Sequence, residues 1–406
     1  MTNFERWRYY TKDYESPDQF INWTFYVMIS AALQRRVWWG EQEQNSKDIY
    51  PNQFVIFIGP PASGKTLAAG DAKALFKSFD GFDEKQRPKS LIKTGPSSVT
   101  LEGLTRYLHT NYTIVQYPAS FGKKPGAVYT SSPLAFFIGN ELGALIREKT
   151  HDLVVFLTEG WECGDYHRET KTQGIDMIKN MCITMLGAAT PEWMHRTYSS
   201  QILGEGFSSR TIFVYGDKKR YLRDEIKYTE DQKREYNNIR SHIEQLTKLF
   251  GPVIVPPDVS GFLTDWYLKN SDKPVNNDKK LEHYYGRKKL HVKKLAMAVH
   301  FSESTSMTIT MDACQRALKI LAETELEMHK ALHGGAKNNI ANIAEAIKVF
   351  LDKNNGAFTP QKLVILEFFQ HGTREEIDAA LNFLQDTQQI TAHNEHGVIG
   401  YIRTKD

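Results

Sequence analysis

The chain has 406 residues, 41% hydrophobic and 24% charged, which suffices for two or three domains with a sizeable core and excludes a disordered or fibrous polypeptide. A formal net charge of +3 excludes the uniformly basic surface of a general polyanion binder, so any nucleic-acid contact must come from local patches. Three widely spaced cysteines, Cys163, Cys182 and Cys314, offer neither a disulfide framework nor zinc spacing and fit a reducing cytoplasm.

Residues 1–50 read as helices packed beside a nucleotide core. The charged start, with Glu5, Arg6, Arg8, Lys12 and Asp13, does not suit a signal peptide, and the apolar stretch from Phe20 to Leu33 is too short to span a bilayer. It reads as a core helix with Phe20, Trp23, Thr24, Val27, Met28 and Ala31 on one face. Ser16-Pro17-Asp18-Gln19 would start it, with Ser16 as N-cap, Pro17 at the first helical position and Gln19 completing a capping box.

The most specific feature follows. Gly59-Pro60-Pro61-Ala62-Ser63-Gly64-Lys65-Thr66 matches G-x-x-x-x-G-K-[ST] at every fixed position, after the apolar run Phe54 to Ile58 and before a helical stretch. In such a loop Gly59, Pro60, Ala62, Ser63 and Gly64 line a backbone cradle for phosphate. Lys65 reaches the β and γ oxygens, the Thr66 hydroxyl ligates Mg²⁺, and the helix N-terminus favours the anion. GTPases usually carry an Asn-Lys-x-Asp base reader. The chain has no Asn-Lys dipeptide, so ATP is the expected nucleotide.

From about 51 to 217, strand-like runs at 54–58, 112–116, 134–138, 181–187 and 211–215 alternate with helical segments, which predicts an α/β domain with a mainly parallel sheet and its ligand at the strand C-terminal ends. Hydrolysis also needs a carboxylate beside the attacking water and positive charge for the developing γ-phosphate. The run Pro133 to Ile138 ends in Gly139-Asn140-Glu141, making Glu141 the candidate water-orienting base and Asn140 the group nearest the Mg²⁺ shell, in place of the usual Asp. Glu159 is a rival if Leu153 to Leu157 is a strand, although that run reads equally as helix. Met181 to Pro191 is a strand ending at Thr190, placed to sense the γ-phosphate. Gly206-Phe207-Ser208-Ser209-Arg210 leads into the next strand, where Arg210 suits an arginine finger reaching a neighbour's nucleotide.

Residues 218–333 read as a charged connection followed by a helical lid, with His333-Gly334-Gly335 as a linker. Arg287-Lys288-Lys289 with Lys293-Lys294 makes a basic helix from which Arg287 would contact the same phosphates; Lys218-Lys219-Arg220 with Arg223 is a second basic cluster. Residues 337–406 run helix, helix, helix and then a hairpin turning at Glu395-His396-Gly397, an order that resembles a winged helix. Its recognition helix, Thr373 to Gln388, carries Glu375, Glu376, Asp378 and Asp386 against Arg374, which favours strand contact by the wing, or protein contact, over base reading.

Taken in order, the phosphate loop, the Phe137 to Glu141 acid motif, Ala188-Ala189-Thr190-Pro191, Ser208-Ser209-Arg210, the basic lid helix and the C-terminal winged helix resemble hexameric AAA+ helicases of the minichromosome-maintenance and viral replication-initiator kind. The segment Gly95 to Leu104 is similar to a P-loop ATPase family common in phages, plasmids and prophages. The resemblance covers roughly residues 20–330. It implies a homo-oligomer, in a hexameric ring, acting on single-stranded or forked DNA during mobile-element replication, in the cytoplasm, with possible replication partner proteins and no membrane. In that family a hairpin placed where Asp165 to Gly174 lies projects into the central channel, so Arg168 and Lys171 would track DNA phosphates. No primase domain accompanies the motor, and Asn140 departs from the family's Asp. Two alternatives stay open: an ATP-dependent switch or helicase loader recruiting partners through the winged helix, and an antiphage defence ATPase built on the same motor.

Overall fold

The computed structural model describes residues 1–40, 48–82, 88–95, 100–117, 127–138, 150–170, 174–194, 205–270, 281–353, 357–369 and 372–404. It divides into two compact units, Met1–Ala331 and Leu332–Asp406.

The larger unit is built on a five-stranded sheet in the order Thr211–Tyr215, Phe54–Ile58, Met181–Ala189, Val128–Ile138, Thr113–Gln116. The first four are parallel to one another, and Thr113–Gln116 is antiparallel to its neighbour. All five side chains of Phe54–Ile58 are buried, as expected of a strand covered on both faces, and each large apolar side chain so placed contributes about 1.5–3 kcal/mol. Five strands were expected, and all five form. The run at 134–138 is the second half of a longer strand, Val128–Ile138, whose first part Val128 to Ser131 pairs with the edge strand. A further parallel bridge joins Thr94 to Ala135 beyond that edge strand's reach.

One open alternative is settled and one expected cap is different. Leu153 to Leu157 is helical, within Thr150–Glu162: Leu153, Phe156, Leu157, Gly160 and Trp161 are buried at helical spacing, so the run follows a 3.6-residue period. Glu159 therefore does not follow a strand. Ser16 is not the N-cap of the helix Asp18–Leu33 either; Pro17 holds that position without a side-chain cap. That helix buries Phe20 to Ala32 on nearly every face except Asn22, because it lies between the sheet and other helices. Phe20 stacks on Phe57 of the loop strand with ring centroids 4.6 Å apart, and Trp23 donates to Thr324 Oγ1 at 2.9 Å.

Between Thr150–Glu162 and Met181–Ala189, Tyr166–Thr170 pairs antiparallel with Gly174–Ile178, a hairpin at the place expected for one, with Arg168 opposite Asp176. The helices Pro257–Asn270 and Glu282–Glu303 follow, and Met311–Lys353 is one helix that includes His333-Gly334-Gly335, the expected linker.

In the smaller unit, the end of that long helix, Gln361–Phe368 and Arg374–Asp386 surround a core of Ile343, Ile347, Leu351, Val364, Phe368, Ile377, Leu381, Leu384, Ile390 and Tyr401. The hairpin Ile390–Glu395 with Val398–Arg403 completes it, and Thr359–Pro360 adds a short third strand. His396 and Gly397 turn the hairpin with φ of 51° and 84°, the left-handed pair that a tight two-residue turn requires. Thr373 and Glu376 form a capping box, so part of the acidity at the start of this helix serves its own N-terminus. Among the described residues no helix is long and apolar enough to cross a membrane.

Candidate functional site

The sheet positions the loop Gly59 to Thr66, the expected phosphate loop. Leaving Ile58 at the C-terminal end of a central parallel strand, the chain turns through Gly59 to Gly64 into the helix Lys65–Lys77. Gly64 is the N-cap, with φ of 84° and no side-chain cap bond, so the first-turn N–H groups are left for a ligand rather than a capping side chain. Ala62 also takes positive φ, at 61°. The Lys65 ammonium lies inside the loop, donating to the carbonyls of Gly59 at 2.6 Å and Pro60 at 2.7 Å and to Ser63 Oγ at 3.3 Å. Burial lowers its pKa. Thr66 is exposed on the helix's first turn.

The loop's back is braced by residues whose local sequence pattern points elsewhere. Ser16 Oγ donates to the Gly64 carbonyl at 2.7 Å; its hydroxyl serves the loop instead of the helix after it. Gly59 lies so close to the Gly216 carbonyl that a Cβ on Gly59 would collide with it, and a Cβ on Gly216 would meet Phe20 at 2.8 Å and Pro17 at 3.0 Å. The chain beyond Gly216 is tied to the N-terminal segment by ion pairs of Lys219 with Glu15, Arg220 with Asp18 and Arg223 with Asp13. Three cations of one sequence-identified basic cluster are thus engaged in the fold.

Thr190 comes to the loop. Ile58 pairs with Ala189 and the Gly59 N–H donates to the Ala189 carbonyl at 3.4 Å, which sets Thr190 beside the loop's entry. Its Oγ1 accepts from the Trp193 N–H at 3.2 Å, so the hydroxyl also starts the next helical turn. Asn140 and Glu141 follow Ile138, whose strand lies beside Met181–Ala189; both lie outside the described residues, as does Lys171, and Arg168 is described by its backbone alone.

Arg210 and Arg287 are at the other end. Thr211 pairs with Phe54, the first residue of the loop strand, so Arg210 sits at the sheet's N-terminal edge. At roughly 3.3 Å per residue the strand alone separates it from the phosphate loop by about 13 Å. Glu162 gathers the two arginines: its Oε1 accepts from Arg210 Nε at 3.1 Å, Arg210 Nη2 at 2.8 Å and Arg287 Nη1 at 3.1 Å. Arg210 Nη1 also donates to the Gly206 carbonyl at 2.7 Å. Arg287, expected to contact the same phosphates as Arg210, shares the Glu162 carboxylate with it, because the lid helix meets the end of Thr150–Glu162. Both guanidinium groups lie over the Trp161 ring, at 5.6 and 5.9 Å from its centroid. Burial lowers the Arg210 pKa, opposed by the hydrogen bond to Glu162. The pair lines an open cavity of about 620 Å³ with Ser209, His283, Gly286 and Leu290.

Beneath this end lies a buried polar network. Lys294 Nζ donates to Asn52 Oδ1 at 2.7 Å, the Tyr50 carbonyl at 2.9 Å and the Trp161 carbonyl at 3.4 Å, with the ammonium 4.2 Å from the Trp161 ring centroid. Asn52 Nδ2 in turn donates to the carbonyls of Trp161 and Ile183, both at 3.0 Å. Lys294 had appeared as one cation of a basic surface run; only its tertiary setting reveals a buried tie. Glu162 and Trp161 were missed because a single acid after a tryptophan at a helix end carries no motif.

No family model matches the chain, and no curated protein matches it. Among the described residues there is no cluster of three or more metal-ligating side chains.

Proposed function

We propose that the chain is an ATP-hydrolysing oligomeric motor of AAA+ type acting on single-stranded or forked DNA, in the manner of a replicative helicase of a phage or other mobile element. The observation that carries this reading is the separation of two half-sites on one sheet. The phosphate loop is at the C-terminal end of Phe54–Ile58, and the Arg210–Arg287 pair is at the N-terminal edge of the adjoining strand. Neither arginine serves its own loop, whereas a head-to-tail ring brings one copy's arginine end to the next copy's loop.

The loop's donor set fits a nucleotide triphosphate: a caged ammonium, uncapped helix N–H groups and an exposed hydroxyl. Lys65 and the first-turn N–H groups would hold the phosphates, and Thr66 would hold Mg²⁺. The Mg²⁺-nucleotide, when bound, supplies the phosphoryl group whose transfer to water drives the motor. Arg210, held by Glu162, would offset charge developing on a neighbour's γ-phosphate, with Arg287 beside it. Thr190 reads the loop's side, and Glu141 and Asn140 take the water-orienting and Mg²⁺-shell roles. The hairpin Tyr166 to Ile178 suits the channel contact, through Arg168 and Lys171, and the smaller unit has the element order of a winged helix.

One observation favours the loader or switch reading as the second. In the smaller unit Leu363, Leu366 and Phe369 are 53, 61 and 68% exposed on and just after one helix, an apolar surface suited to a protein partner.

The test is complementation between two inactive variants. Lys65→Ala retains Arg210 and Arg210→Ala retains the loop, so mixing them regenerates some intact shared sites. Recovery of hydrolysis on mixing is the expected result. No recovery, with Arg210→Ala alone hydrolysing ATP like the wild type, overturns the shared-site reading.

A further inference from the structure

The sequence groups Arg287, Lys288, Lys289, Lys293 and Lys294 as one basic run, but the fold divides it. Arg287 is held by Glu162, Lys288 pairs with Glu325 at 2.5 Å, and Lys294 is buried in the Asn52 network. Lys289 and Lys293 instead line a separate cleft of about 430 Å³, within the usual range of about 300–1,000 Å³ for small-ligand pockets.

Three elements build this cleft. Trp39 and Gly40 extend from Val37–Trp38, which pairs with Gly251–Pro252. Val253, Ile254 and Val255 continue from that pairing, fixed on one side by the Val253 N–H to the Trp38 carbonyl at 2.8 Å and on the other by the Ile254 N–H to the Met307 carbonyl at 2.7 Å. Leu263 and Trp266 come from the helix Pro257–Asn270, and Val292 from the lid helix. Among the described residues the lining holds two tryptophans, an aliphatic floor, two lysines one helical turn apart and no acidic residue.

The cations sit against aromatic faces. Lys293 Nζ is 5.4 Å from the Trp39 centroid, and Lys289 Nζ is 4.5 Å from that of Tyr267, which is 36% exposed. Among the described residues Lys289 pairs with no carboxylate. Aromatic surface with cations a few ångströms away suits a flat, apolar ring carrying an anionic group: the ring stacks and the anion meets ammonium. A backbone phosphate can meet one lysine and the next phosphate the other, since side chains at i and i+4 are neighbours on a helix.

We propose that this cleft binds single-stranded nucleic acid, seating a base against Trp266 and the aliphatic floor and successive phosphates on Lys289 and Lys293. It is a second strand-contact site, apart from the hairpin Tyr166 to Ile178, and it rests on the reading of the chain as a DNA-acting motor. Its place on the lid helix that also carries Arg287 couples strand contact to the arginine pair through one rigid element.

The test uses the full chain and a fluorescein-labelled oligothymidylate, read by anisotropy over a salt series, for the wild type, Lys289→Glu/Lys293→Glu and Trp266→Ala. Expected for the double variant are affinity at least tenfold weaker and a salt slope reduced by roughly two phosphate contacts, with an unchanged melting midpoint. Trp266→Ala should weaken binding while leaving the salt slope as in the wild type, which keeps the proposal testable should either variant be less stable. If the wild type binds the oligonucleotide and both variants bind it equally well, this cleft is not a strand site and the motor reading stands. If the wild type binds no oligonucleotide, the DNA reading and this proposal fail together. If excess thymidine monophosphate displaces the strand from the wild type but not from the double variant, the cleft is a mononucleotide site and the proposal is overturned.

Discussion

Ser16 donates its hydroxyl hydrogen to the main-chain carbonyl of Gly64 at 2.7 Å, joining the N-terminal segment to the residue that turns the phosphate loop into its helix. Gly64 has φ of 84°, and a Cβ there would lie 2.6 Å from Ser16 Oγ and 2.9 Å from Ser16 Cα. Gly64→Ala therefore meets both backbone strain and a collision, and should lower nucleotide affinity more than tenfold. Ser16→Ala removes one hydrogen bond of about 1 kcal/mol and should lower affinity several-fold. Titration of a fluorescent ATP analogue measures both; wild-type affinity in Ser16→Ala would show that Ser16 does not brace the loop.

Glu162 positions two arginines through a single oxygen. Glu162→Gln keeps a neutral acceptor and Glu162→Ala keeps none, so assembly-dependent hydrolysis should fall in the order wild type, Gln, Ala, the last approaching Arg210→Ala. ATP binding should be retained throughout, because the phosphate loop is at the opposite end of the sheet. Steady-state hydrolysis against protein concentration, beside nucleotide titration, checks the order. Hydrolysis by Glu162→Ala at the wild-type level would remove Glu162 from the mechanism.

The sheet and loop were legible in sequence because they follow strong local rules. Phe54 to Ile58 is a short apolar run bounded by polar and glycine residues, and the loop after it has fixed positions. What was not legible depended on long-range partners. Val128 to Ser131 lies outside the apolar run, yet it is strand because it pairs with Thr113–Gln116. Ser16 has the local pattern of a helix cap, but its acceptor is 48 residues away. His333-Gly334-Gly335, expected as a linker, lies beside the division of the chain after Ala331, yet its backbone is helical because the roughly 1 kcal/mol that glycine costs in a helix is within reach of the good helix formers flanking it in Met311–Lys353. Arg287 and Lys294 belong to one basic run, and only packing sends one to Glu162 and the other to Asn52.

Lys294 donates to three acceptors in buried hydrogen bonds. Lys294→Met retains the length of the stem and deletes every donor, so it should cost about 3 kcal/mol. Urea unfolding followed by tryptophan fluorescence reads this as a lower midpoint at unchanged slope. A midpoint equal to that of the wild type would mean that the ammonium's desolvation cost cancels its hydrogen bonds.

His291 predicts a pH dependence. It is buried, its Nε2–H donates to the Ser209 carbonyl at 3.0 Å, and burial lowers its pKa to about 4, helped by the positive charge of Lys294, Arg287 and Arg210 nearby. The folded state thus binds fewer protons than the unfolded chain between about pH 6.5 and 4, so this contribution is complete above pH 6.5 and is lost as pH falls to 4. The full loss is roughly 3 kcal/mol. His300, also lowered by burial, acts in the same direction. Stability of His291→Gln should accordingly fall less between pH 7 and 4.5 than that of the wild type; parallel profiles would contradict the assignment.

The central claim is that the caged lysine belongs to an ATPase that works on DNA. Its most direct test is ATP hydrolysis by the purified chain with and without single-stranded DNA, beside Lys65→Ala. The account predicts hydrolysis that DNA stimulates and that Lys65→Ala abolishes. Tight ATP binding with little hydrolysis and no response to DNA would contradict the motor and leave the switch or loader in its place.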